Sequence, residues 1–172
     1  MMLEAIHRNT RVVVDLSIVK QNIKKQLAKL SPSQELYAVV KANAYGHGMI
    51  TVAKAAVEAG ATGFCVANLD EGLGLRQAGF TQPILILGLS RVEDAALLAE
   101  NKITASVDSV EWLTEAAQYL NDIPLKVHIA VDSGMGRIGV VNECELAAVE
   151  AVLQSGPFEF EGIFTHFATA DE

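Results

Sequence analysis

The 172-residue sequence predicts an α/β fold of the (β/α)8 TIM-barrel type, represented by about six βα units and so incomplete. Three observations carry the prediction. Apolar, β-branched runs alternate with helix-like stretches in a regular rhythm. The runs are continuously apolar, as strands covered on both faces of a parallel sheet must be. Helix-start signals recur where a run gives way to a helix.

A helix-like stretch at 16–30 comes first. Strand-like runs follow at ELYAVVKAN (35–43), GFCVAN (63–68), PILILG (83–88), KITASVD (102–108), LKVHIAVD (125–132) and FEGIFTHFA (160–168). Helix-like stretches at 48–59, 69–78, 91–100, 109–120 and 142–154 separate them. Asn68, Ser90, Asp108 and Asn142 are each followed three residues later by a glutamate (Glu71, Glu93, Glu111 and Glu145), the spacing of a capping box. A doubly wound sheet would announce itself with G-x-G-x-x-G after the first strand, but the glycines there read YGHG, with no third glycine in place. The barrel is the better reading. Six strands are two short of closure, and the length falls below the ~200–250 residues usual for that fold.

Composition narrows the function classes. A net charge of −8, with basic residues scattered, argues against nucleic acid and anionic membrane as partners. The longest strongly apolar run, ILILGL (84–89), is far too short to span a bilayer, and the N-terminal decapeptide carries no targeting pattern. Cys65 and Cys144 fit neither a metal spacing nor a disulfide framework, which suits thiols in a reducing cytoplasm. No P-loop, nucleophile elbow or zinc motif occurs, and no metal is expected.

In a βα barrel the C-terminal strand ends face the active-site mouth. That face collects Lys41, Asn43, Tyr45, Asn68, Asp108, Asp132, Arg137 and His166. Asn68 and Asp108 read as helix caps. Lys41 follows Tyr37-Ala38-Val39-Val40 without a turn signal. It is either a solvated strand-end lysine or an inward amine whose desolvation lowers its pKa toward Schiff-base chemistry. In VDSGMGRIGV (131–140), three glycines let a long loop turn tightly around Arg137, where a guanidinium can meet an anion or a phenolic oxygen. His166 ends an apolar run and suits either a hydrogen-bonded core role or a catalytic one.

The motifs AVVKANAYGHG, VDSGMGRIG and THFATAD, in that order and spacing, closely resemble those of the alanine racemase family, and the resemblance runs through the whole sequence. The resemblance implies a pyridoxal 5'-phosphate enzyme that interconverts L- and D-alanine by two-base proton transfer, supplying D-alanine for peptidoglycan in the cytoplasm. By the same resemblance, Lys41 holds the cofactor and serves as base or acid on one face of the α-carbon, and Tyr45 contacts the cofactor phosphate. Arg137 meets the phenolic oxygen and orients the substrate carboxylate, and His166 supports the opposite-face tyrosine. Alternatives are a racemase of another small amino acid such as serine, or a non-catalytic single-barrel cofactor-binding protein.

Three departures from the family pattern stand out. Many family members carry a lysine, carbamylated in some, shortly before the arginine; Ala130 stands there, so the bridge is expected to be absent and Arg137 braced by an anion or by Asp132. Gly72 and Gly74 lie within a predicted helix, at a cost of about 0.5–1 kcal/mol each relative to alanine, without a functional account. Family enzymes also continue into the rest of the barrel and a β-rich second domain, and act as homodimers. Residues 1–172 are accordingly expected to be the N-terminal cofactor-binding barrel domain, truncated, without the C-terminal β domain, the second base or full activity. Its unpaired strand edges are expected either to drive dimerisation or to leave it poorly folded alone.

Overall fold

A computed structural model of the chain describes residue 9 and residues 11–170. Six strands form one wholly parallel sheet: β1 (Tyr37–Val39), β2 (Gly63–Val66), β3 (Ile84–Leu89), β4 (Thr104–Val107), β5 (Leu125–Val131) and β6 (Phe158–Thr165). The strands lie side by side in sequence order. A doubly wound sheet reverses its strand order at a switch point, so the sequential order is that of a singly wound barrel wall. The wall is open between β1 and β6.

The helices are α1 (Leu16–Leu27), the helical turn α2 (Lys41–Tyr45), α3 (Met49–Ala59), α4 (Leu69–Gln77), α5 (Ala95–Glu100), α6 (Val110–Ala116) and α7 (Glu143–Ser155). Burial follows strand parity. On β5, Leu125, Val127 and Ile129 are buried with Phe64, Ile84, Ile86, Leu98 and Leu113 in the core between sheet and helices. The alternate residues Lys126, His128 and Ala130 therefore face the concave side. Register carries this parity across the sheet, pairing Ser106 with His128 and Ala130 with Phe164.

A register shift in β6 places Glu161 as an extra residue between Phe160, opposite Val127, and Gly162, opposite His128. Such a bulge re-aims a side chain. Glu161 turns into the concave side, where it meets Lys126 Nζ at 2.8 Å and accepts from Thr104 Oγ1 at 2.8 Å.

Two capping assignments hold. Asn68 and Asn142 accept from the amides of Glu71 and Glu145 at 3.1 and 3.0 Å. Two need correction. Ser109, not Asp108, caps α6 by accepting from the Trp112 amide at 3.3 Å. Ser90 precedes a 3-10 turn, Val92–Asp94, and its buried hydroxyl has no partner among the described residues. Gly72 and Gly74 gain a packing reason: a Cβ on Gly72 would sit 2.9 Å from Ile103 Cδ1, and one on Gly74 3.2 Å from Met49 Cε. Both let α4 lie close against these two side chains.

Candidate active site

The first strand ends at Val39, well short of residue 43, because the backbone changes hand. Ala42, Asn43, Ala44 and Tyr45 all have φ between 50 and 55°, so α2 is a left-handed turn. The left-handed conformation costs an L-residue roughly 1–2 kcal/mol, so its neighbours must impose it. The Ala44 amide donates to Val40 O at 2.8 Å, and Asn43 Oδ1 accepts from the Met49 amide at 2.8 Å. The Ala42 amide donates to Glu71 Oε1 at 2.6 Å. Lys41 is thus held half-buried at the strand end, just before the turn.

The loop after β5 is organised by Asp132. Its Oδ1 accepts from the amides of Gly134 at 2.8 Å and Gly136 at 3.0 Å, and its Oδ2 accepts from the Arg137 amide at 3.1 Å. These backbone bonds, led by that from Gly136, hold the Asp132 carboxyl below its usual pKa. Asp132 therefore braces the backbone of Arg137, not its guanidinium. The loop folds back on β5 through Val140 N to Ala130 O (2.9 Å) and Asp132 N to Val140 O (3.0 Å). That return needs glycine at 139, where φ is 121° and a Cβ would lie 2.5 Å from Asp132 N. The end of β6 is tied to β5 by Thr165 Oγ1, which donates to Val131 O at 2.8 Å.

Lys41, Arg137 and His166 meet around one cavity of about 190 Å³, whose wall includes Val39, Cys65, Leu87, Ala130, Phe164 and Thr165. They arrive from just after β1 at one edge of the open sheet, and from the loop after β5 and the end of β6 at the other. Tyr45 does not join them: it is 62% exposed on the left-handed turn and lines no part of the cavity. Asn68 is engaged as a cap. Asp171, which closes the third sequence motif, lies outside the described residues.

Cys65 and Thr165 escaped the sequence reading as cavity residues. Cys65 faces the concave side because it pairs with Val39 and Leu85, a parity that becomes visible only once the register is known. Burial pushes its thiol up to about 11. Chemically, the cavity sets a primary amine, a guanidinium, an imidazole and a hydroxyl around an otherwise apolar wall, with no carboxylate among the described lining residues. An amine so placed can add to a carbonyl, and the guanidinium can bind an anion.

Residues 14–172 match the family described as "Alanine racemase, N-terminal domain". The chain is 56% identical to an alanine racemase of Lactiplantibacillus plantarum, over 96% of this chain and 46% of that protein. Among solved structures it is similar to alanine racemase from E. faecalis, with a TM-score of 0.95 and 46% identity over 99% of this chain and 47% of the other. It is also similar to a histidine racemase from Leuconostoc mesenteroides, with a TM-score of 0.86 and 39% identity over 91% of this chain and 42% of the other. The chain thus spans about half the length of the relatives it matches.

Proposed function

The chain belongs to the alanine racemase family, and on that premise we propose that it forms the lysine-bearing part of a pyridoxal-phosphate-dependent racemase interconverting L- and D-alanine. The observation that carries this reading is the convergence of Lys41, Arg137 and His166 on one cavity. The residues fit the cofactor: an amine to take up its aldehyde, a guanidinium for an anionic oxygen, and no carboxylate among the described lining residues to repel it.

When bound, pyridoxal phosphate supplies an electron sink that stabilises negative charge at the substrate's α-carbon. The chain's own residues do the rest. Lys41 Nζ holds the cofactor and carries a proton on one face of that carbon. Arg137 binds the phenolic oxygen and orients the substrate carboxylate, while His166 positions the proton carrier of the other face by hydrogen bonding. By the family resemblance Tyr45 would contact the phosphate, from its exposed position on the turn outside the cavity lining.

Inversion requires a proton carrier on each face, because a single base returns the proton to the side it left. No tyrosine lines the cavity among the described residues. On the family resemblance we assign the second carrier to a partner subunit in a homodimer, and read residues 1–172 as the cofactor-binding barrel domain of a longer enzyme. The product D-alanine would serve peptidoglycan synthesis in the cytoplasm. No helix among the described residues is long and apolar enough to cross a membrane.

The test is to add pyridoxal phosphate to the purified chain, reduce with borohydride and map the modified lysines. Labelling concentrated at Lys41 supports the reading. Labelling scattered over surface lysines overturns it. The likeness to a histidine racemase motivates a second reading, a racemase of another amino acid. Racemisation assays with alanine, serine and histidine, using the longer enzyme, separate the two.

A further inference from the structure

Glu71 sits where a capping box would place its carboxylate on the Asn68 amide, yet it does something else. Its Oε2 accepts from the amide of Ala67, the residue that follows β2, at 2.7 Å. Its Oε1 accepts from the amide of Ala42 at 2.6 Å, 29 residues away along the chain. One carboxylate thus joins the strand end beside Cys65 to the peptide that immediately follows Lys41. That peptide is also the entrance to the left-handed turn, whose strain has to be balanced by contacts.

We propose that Glu71 is a positioning residue for Lys41: by gripping the Lys41–Ala42 peptide it fixes the backbone from which the lysine side chain reaches into the cavity. The inference rests on the functional reading of Lys41 given above. Three features support it. The bond to Ala42 is a charge-assisted hydrogen bond at the short end of the range, the stronger class. Glu71 is itself anchored, since its own amide donates to Asn68 Oδ1. Helix α4, which carries it, is set against the core by the close approach of Gly72 to Ile103. The reach of Glu71 to two amides, one after β1 and one after β2, leaves the peptide little freedom to rotate.

Glu71→Gln keeps the size of the side chain but has one accepting oxygen, so one of the two amides must face an N–H₂ group. The experiment compares the wild type with Glu71→Gln in three measurements: borohydride-trapped labelling of Lys41 by pyridoxal phosphate, acetylation of Lys41 by acetic anhydride, and amide hydrogen exchange. The expected result is Lys41 cofactor labelling slowed by about tenfold or more. Acetylation of Lys41 should be unchanged, and exchange should accelerate at Ala42 and Ala67 but not at Phe64 or Ile86. A general loosening would instead raise acetylation and core exchange together, and that outcome overturns the positioning role. So does unchanged labelling in a variant with an intact core. If the wild type itself fails to label at Lys41, the functional reading falls and the role falls with it. Unchanged exchange at Ala42 overturns the grip by itself, whatever the labelling shows.

Discussion

Asp132 holds the amide of Arg137 at 3.1 Å through Oδ2 while its other oxygen takes the amides of Gly134 and Gly136. The carboxylate organises the whole approach to the arginine from its backbone side. Asp132→Ala should therefore release the loop while leaving the sheet intact. The expected signature is faster amide exchange at Gly134, Gly136 and Arg137, with cofactor labelling of Lys41 reduced roughly threefold to tenfold. The pH dependence follows the same bonds. The folded carboxyl lies below its ordinary value of 3.8, so loop order is fully present above that value and is lost as pH falls through the lower folded one. Loop amide exchange followed from pH 6 downward, on the order of four pH units, checks this.

Arg76 is a structural counterpart far from the cavity. Its guanidinium donates to four carbonyls: Nε to Asn101 at 2.9 Å, Nη1 to Phe80 and Gln82 at 2.9 and 2.8 Å, and Nη2 to Lys102 at 2.7 Å. Arg76→Ala leaves these carbonyls without a donor and should cost about 2–4 kcal/mol, read as a shift in the urea midpoint. Arg76→Lys should restore only part of that, because one ammonium cannot serve four acceptors spread in a plane.

The two cysteines should separate cleanly by reactivity. Burial raises the Cys65 thiol from an ordinary 9.0 to about 11, whereas Cys144 is exposed. Near neutral pH that shift leaves Cys65 with about a hundredfold less thiolate than an ordinary thiol. Iodoacetamide should modify Cys144 quickly and Cys65 slowly, as peptide mapping would show. Because the folded value is the higher one, stability from this group is intact below pH 9 and declines as pH rises through about 11.

Ala130 is 2% exposed in the cavity wall and has no amine to carbamylate. Bicarbonate should therefore leave Lys41 labelling unchanged. A bicarbonate dependence that disappears in Arg137→Ala would refute this and point to an anion bridging the guanidinium.

The outer face of β6 should drive self-association of this chain. Phe160 and Ile163 are each 54% exposed beside a groove of about 510 Å³ lined by Ile129, Leu146, Leu153 and Phe158. An edge strand with apolar flanks pairs readily. Sedimentation should show mass rising with concentration, and Ile163→Lys should weaken association about tenfold or more. A concentration-independent monomer would overturn the prediction.

The βα rhythm, the singly wound barrel class and the caps at Asn68 and Asn142 were legible in the sequence, because each is written in local chemistry: continuous apolar runs for strands covered on both faces, and a side-chain acceptor beside free helix amides. The placement of Lys41, Arg137 and His166 on the face at the C-terminal ends of the strands was legible too. Tertiary structure alone decided the rest. Ala-Asn-Ala-Tyr is an ordinary L-sequence with no glycine to announce four successive positive φ values. The left-handed turn exists because Glu71, Val40 and Met49 hold it from outside its own residues. The same reason separates Tyr45 from the cavity and brings Cys65 to it. A spacing rule places residues along one strand, but only the register between strands and the hand of a turn determine which side chains share a space.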